Sequence, residues 1–168
     1  MSAPAGPFYG KYAGKVENNV DPEGRGRVQV SVPDVLPGEL CWAEACVPYA
    51  GPGVGFFAVP PVKASVWVEF KGGNLNSPIL AGAYWAGTGD APSVLPQVQV
   101  WKTDGVSITL SSVPGAGGLT IEVGSPTVAV PMKFACTAAG IELSIGGTAS
   151  VKLTGASVSI NGDGLVVT

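Results

Sequence analysis

The chain has 168 residues and no histidine. Without imidazole the commonest general base is missing, and with it the Ser–His and Cys–His nucleophile pairs. Charge is scarce as well. Only 12% of the residues are charged, against about 25% in an ordinary soluble domain. The net charge of −3 argues against a protein that coats nucleic acid. Three cysteines, Cys41, Cys46 and Cys136, are too few for a disulfide framework and, with no histidine, make a weak metal set. They are expected to be small buried apolar side chains, and neither a metal nor a cofactor is expected. No apolar run reaches the ~18 residues of a membrane-spanning helix. Residues 1–7 are small and proline-rich, without the basic start and apolar stretch of a signal peptide, so assembly in the cytoplasm is expected. Helix signals are close to absent, while 25 glycines and 15 prolines punctuate short apolar runs.

What the chain has in quantity is alternation, most plainly from Val106 onward. Val106, Ile108 and Leu110 alternate with Ser107 and Thr109; Leu119, Ile121 and Val123 with Thr120 and Glu122; Ile141, Leu143 and Ile145 with Glu142 and Ser144. Val151 and Leu153, then Val158 and Ile160, then Leu165 and Val167 continue the rule. A period of two puts one apolar row on one face of a sheet. That row must be buried, and no amphipathic helix is present to bury it. Copies of the same segment would do so, which points to an oligomeric β structure. Strand centres at Ile108, Ile121, Met132, Leu143, Leu153, Ile160 and Val166, with corner glycines between them, read as a β-solenoid too thin to enclose a core alone. Three chains interleaved around one axis would enclose one and would pair their backbones between chains. Pro131 predicts a bulge or irregularity in this run.

The first half reads as a small closed barrel. Strands are expected at Tyr12 to Val16, Val28 to Val32, Trp42 to Val47, Val66 to Phe70 and Ile79 to Trp85. Asp21-Pro22-Glu23-Gly24 is a turn. Five short strands in some 80 residues fit an OB barrel. The expected division is a tail at 1–7, the OB barrel at 8–86, a linker at 87–96 and the β-helix at 97–168.

Chemistry is sought in this half and weighed against structure. Glu17, Asp21 and Glu23, and Glu39 with Glu44, could offer paired carboxylates, but they sit in turns and strand edges and read as solvated structural groups. Gly51-Pro52-Gly53-Val54-Gly55 has the look of a phosphate loop, yet no Lys-Ser/Thr pair and no helix follow it, so it reads as a turn. Lys11, Lys15, Arg25 and Arg27, with Tyr9, Tyr12 and Trp67 for stacking, are the ingredients of a single-strand binder. Acidic residues interleave with them, and a solvated rim or ion pairs to a partner is the expected use.

Several ordered stretches resemble one family. Tyr9-Gly10-Lys11-Tyr12 through Gly14-Lys15-Val16, Asn19 through Val30, Val47 through Phe57, Pro60-Pro61-Val62 with Val66 to Phe70, and Pro78 through Trp85 are similar to the OB domain of the phage baseplate assembly protein V family. That family includes the spikes of contractile phage tails and the VgrG spikes of type VI secretion, with relatives in extracellular injection particles. The resemblance implies an all-β, trimeric central spike, not an enzyme: an OB barrel on a hub, and a three-chain β-helix making transient contact with a target membrane. The expected trimer core is Val106, Ile108, Leu110, Leu119, Ile121, Val123, Ile141, Leu143, Ile145, Val151, Leu153, Val158 and Ile160. The resemblance also implies a separate hub protein at the barrel end. A PAAR-like tip protein would sit on Gly164, Leu165, Val166, Val167 and Thr168, because the histidines that hold an apical iron in some relatives are missing. The particle would be a phage tail, type VI device or extracellular injector, with no nucleic-acid partner. The competing reading is an OB module that binds oligonucleotide or glycan on a β-solenoid stalk.

Overall fold

The computed structural model describes residues 6–162 and 164–167, the last two by backbone alone. Among them the secondary structure is strands and turns, with one short 3-10 turn at Lys71–Gly73. The chain groups into two compact units, Met1–Thr88 and Gly89–Thr168.

The first unit is a closed barrel. Its strands are β1 (Tyr12–Asn18), β2 (Val28–Val32) and β3 (Leu36–Ala45). A small hairpin, β4 (Ala50–Gly51) with β5 (Val54–Gly55), follows, then β6 (Ser65–Phe70) and β7 (Pro78–Tyr84). The barrel order is β1-β2-β3-β7-β6, closed by β6 on β1. Every pairing is antiparallel except β3 with β7, which is parallel. This is the OB arrangement. Bulges at Val16/Asn18, Ser31/Val32 and Trp67/Val68 supply the curvature that closure demands.

Alternation sorts the barrel residues. In β2, Val28, Val30 and Val32 point inward, while Gln29 and Ser31 are half-exposed. The fully buried large side chains are all valine: Val16, Val28, Val30, Val32, Val66 and Val68. A five-stranded barrel is narrow, and β-branched side chains with few rotamers fill it at little entropic cost. Gly14 marks a close crossing of β1 over β2 and β6. A Cβ there would stand 2.9 Å from the Ser31 carbonyl oxygen and 3.1 Å from Val68 Cγ2.

The second unit is an eight-stranded antiparallel meander in chain order: β8 (Val98–Lys102), β9 (Val106–Ser111), β10 (Gly118–Val123), β11 (Met132–Thr137), β12 (Gly140–Ile145), β13 (Ala149–Thr154), β14 (Ser157–Ile160) and β15 (Leu165–Val167). The ladders join consecutive strands of the same chain, not strands of different chains. Each chain builds its own ribbon, and the face it leaves open is one of side chains. The sequence reading misses β8. The Pro131 irregularity lies in the β10–β11 loop, because β11 begins at Met132 and its ladders to β10 and β12 run without a bulge. Pro131 has no N–H to offer, but its carbonyl accepts a bond from Gly146 N at 2.8 Å.

Candidate functional site

Strand pairing in the meander decides which side chains share a face, because directly opposed residues lie on the same side. Ile108 opposes Trp101 and Ile121; the row runs on through Phe134, Leu143, Val151 and Ile160 to Leu165. A second row holds Leu110, Leu119, Cys136, Ile141, Leu153 and Val158. A third holds Val106, Val123, Met132, Ile145 and Ala149. All the residues expected in the trimer core therefore fall on one face. Trp101, Phe134, Met132, Cys136 and Leu165 join them there. Trp101 lies on the missed strand; Met132, Phe134 and Cys136 lie on β11, which the sequence reading marks only by a strand centre at Met132, and Leu165 belongs to a strand that the alternation marks.

This face is uncovered in one chain. Leu110 and Leu143 are each 52% exposed, and Ile141, Ile145, Leu153 and Ile160 are exposed too. Ile121, Val123, Met132, Phe134, Leu143 and Val151 line a shallow trough of about 460 Å³ across its middle. A contiguous apolar surface of this kind on a soluble protein marks an interaction site.

The opposite face is polar. Ser107, Thr109, Thr120, Glu122, Lys133, Glu142, Ser144, Ser150, Lys152 and Ser159 occupy it by register. Glu142 lies between two ammonium groups, with Lys133 Nζ at 4.0 Å and Lys152 Nζ at 3.7 Å. These exposed pairs add little stability, but they make this side polar while the other side is apolar. Ala135, in register with Glu142, is the small residue buried at its centre.

Of the expected tip residues, Gly164 closes a turn by donating to the Asn161 carbonyl at 3.3 Å, and Leu165 opposes Ile160 on the outermost strand. The side chains of Val166 and Val167, and all of Thr168, lie outside the described residues. So do residues 1–5 of the expected tail.

In the barrel, Asp21 is a keystone and not a solvated turn residue. Its side chain is 4% exposed. Its carboxylate accepts backbone N–H bonds from Glu23, Arg25 and Arg27 at 3.0, 2.9 and 3.2 Å. Arg27 Nη2 donates to it at 2.8 Å. The Arg27 bond above all, with the backbone donors, holds the Asp21 carboxyl well below the usual carboxylate range. Three of the four bases weighed for a nucleic-acid strand, Lys11, Arg25 and Arg27, are engaged within the chain. Arg27 also pairs with Glu23 at 3.0 Å and lies over the Trp42 ring; Arg25 pairs with Glu44 at 2.8 Å, and Lys11 with Glu69 at 2.6 Å. Trp67 stacks on Tyr84 at 4.5 Å between centroids, and Tyr12 packs on Phe70. Two of the three aromatics weighed for stacking thus pack on the protein's own rings, while Tyr9 is exposed.

Gly51 to Gly55 forms the tip of the β4–β5 hairpin, with Pro52 and Gly53 (φ +73°) turning it. Tyr49, Val54, Phe56 and Phe57 are exposed along this loop. The cysteines differ from one another. Cys46 is exposed, against expectation, because it lies just past the end of β3. Cys41 and Cys136 are half-buried, and burial, with Glu39 nearby, raises the Cys41 thiol.

Comparisons with known proteins agree with this geometry. Residues 12–85 match the family model described as the type VI secretion system/phage-baseplate injector OB domain. Residues 98–166 match the phage baseplate V C-terminal trimerisation domain. A relative, the actin cross-linking toxin VgrG1 of Vibrio cholerae serotype O1, is 35% identical over 57 residues, or 34% of this chain. The match spans 5% of that relative's length.

Proposed function

The chain belongs to the phage baseplate V family, whose OB domain is shared with type VI secretion injectors, and on that premise we propose that it is the central spike of a contractile injection particle. A structural spike role and a trimerising C-terminal region follow from the family. The finer reading is that three copies pack their apolar faces around one axis, forming a three-sided β-helix with the Ser/Thr and Lys/Glu faces outward.

The observation that supports this best is the one-sided meander. Its three apolar rows lie on one face from Val106 to Leu165, with no other described element of the unit to cover them. Each Val, Ile or Leu taken from water contributes roughly 1.5–3 kcal/mol. Eight strands at a spacing of about 4.7–4.9 Å stack into a shaft on the order of 35 Å. Short Ser and Thr side chains outside keep it soluble without flexible arms. A spike must carry thrust without bending, and a dry core flanked by continuous ladders resists shear.

The barrel end would sit on a separate hub protein. The outermost strand, with Leu165, would accept a PAAR-like tip that supplies the point. Contraction of the particle would then drive tip and shaft into the target envelope. No described group acts as a catalyst in this scheme. The test is mass in solution. Sedimentation of the full chain should give three times 16.8 kDa, and the complex should resist detergent until boiled. A fully soluble species at the mass of one chain would overturn the proposal.

A further inference from the structure

We propose that Asn161–Gly162 is a deamidation site, and that the fold holds it closed by tying the Asn161 carboxamide to Ser150. Asn161 directly follows β14, whose last residue, Ile160, pairs with Val151. In the antiparallel ladder the next opposed pair is Asn161 with Ser150, and such a pair can exchange two backbone bonds. One is made: Asn161 N donates to the Ser150 carbonyl oxygen at 2.8 Å. The other comes from a side chain. Ser150 N donates at 2.9 Å to Asn161 Oδ1, while the Asn161 backbone carbonyl accepts Gly164 N at 3.3 Å. The carboxamide stands in for the main chain, so the ladder continues while the backbone turns. The turn is left-handed, with φ +52° at Asn161 and +66° at Gly162. Asparagine tolerates the first of these because its short polar side chain bonds locally. All these contacts lie within one chain, so the proposal does not rest on the trimeric reading.

The same two residues are the chain's one Asn-Gly pair. Asparagine is a chemically labile residue, and most so before glycine, which has no Cβ to shield its nitrogen. The Gly162 nitrogen attacks Asn161 Cγ and gives up its proton. The C–N bond of the side-chain amide breaks, ammonia leaves, and a five-membered succinimide forms. Water opens that ring at either carbonyl, giving aspartate or isoaspartate. Isoaspartate routes the backbone through Cβ and Cγ, one methylene longer, ahead of β15 and its pairing of Leu165 with Ile160. The outermost strand therefore depends on this amide staying intact. The folded corner opposes the attack twice. A non-glycine residue at this φ has ψ of roughly +30 to +60°, which points the Gly162 nitrogen away from Cβ. Swinging Cγ onto that nitrogen also pulls Oδ1 off Ser150 N and leaves a strand N–H without its partner. Reaction thus waits on local opening of the β13–β14 corner.

The test follows the full chain in mildly alkaline buffer. Conversion of the Asn161 amide to acid is read by peptide mass, and hydrogen exchange at the Ser150 amide is read in parallel. We expect conversion in the folded chain to run at least about tenfold slower than in the same chain unfolded in urea, as closure of a local opening requires. Urea below the unfolding transition should raise both rates by one shared factor, because both wait on the same bond. Asn161→Gly accepts the left-handed turn and removes the acceptor. Its Ser150 amide should exchange faster than in the wild type, while the Lys152 amide keeps its rate. Equal conversion rates in the folded and unfolded chain overturn the proposal. So do two rates that part company in low urea, or an Asn161→Gly chain whose Ser150 amide exchanges as in the wild type. Loss of protection along the whole of β13 in that variant also overturns it, since the carboxamide would then hold the strand and not one bond.

Discussion

Asp21 shows how much of the barrel rests on one carboxylate. It ties the β1–β2 loop to itself through three backbone donors and clamps Arg27, which in turn lies over Trp42. Its carboxyl is held below the ordinary value, so the stability it contributes is complete above about pH 4, its unfolded value. That contribution is lost as the pH falls toward its lower folded value. Asp21→Asn keeps the shape and removes the charge. We expect it to melt several degrees below the wild type at pH 7, with the gap closing as the pH drops from about 4 to 2. Thermal melts followed by tryptophan fluorescence across that range will decide, and a gap independent of pH would refute the assignment. The sequence marks Asp21 as a turn residue but cannot show that Arg27 folds back on it, because that contact depends on the path of the loop. Nor does it show that Arg25 reaches Glu44 across 19 positions.

A strand face is the next scale up, and Leu143 probes it. Leu143 lies in the central row, flanked by Phe134 and Val151. Leu143→Asp would bring three carboxylates into a dry core, where unpaired charge is strongly disfavoured. The mass should fall to that of one chain, while the barrel keeps its melting transition. Ser144→Asp, one residue along and on the wet face, should remain assembled. An assembled Leu143→Asp variant would remove the face assignment. Gly140 tests the hairpin corner: at φ +122° its missing Cβ would run into the Leu153 carbonyl. Gly140→Ala should therefore cost about 1–3 kcal/mol per chain through backbone strain, read as a lower melting temperature of the shaft. Much of this unit is legible in the sequence, because a strict period of two has a single consequence for the faces of a sheet. Strand β8 is not, since its valines, Val98 and Val100, share a face with Thr109 and Ser111 while Gln99 and Trp101 take the apolar side. Period alone cannot tell which set belongs to the core. In the barrel, β3 starts at Leu36, not at Trp42, because Pro37 and Gly38 read as a break and yet sit within a strand.

At the scale of the whole molecule, the two units have separate reasons to fold. The barrel core, from Val16 to Leu80, is drawn entirely from the first unit, so it needs nothing from the meander. Among its described residues the meander has no such enclosed cluster, and on the proposed reading its apolar side chains are covered by other copies. A chain ending at Gly140 separates the two dependencies. It keeps the barrel and β8 to β11, and loses Ile141, Leu143, Ile145, Val151, Leu153, Val158 and Ile160 from the face. Each lost side chain removes roughly 1.5–3 kcal/mol of burial, in three copies per trimer. What remains should associate weakly, with a mass that rises with concentration, instead of holding together in detergent. Its barrel transition should match that of the full chain. A shortened chain that stayed a tight, detergent-resistant trimer would place the association surface in the barrel or in β8 to β11. The shaft would then be the product of assembly and not its cause.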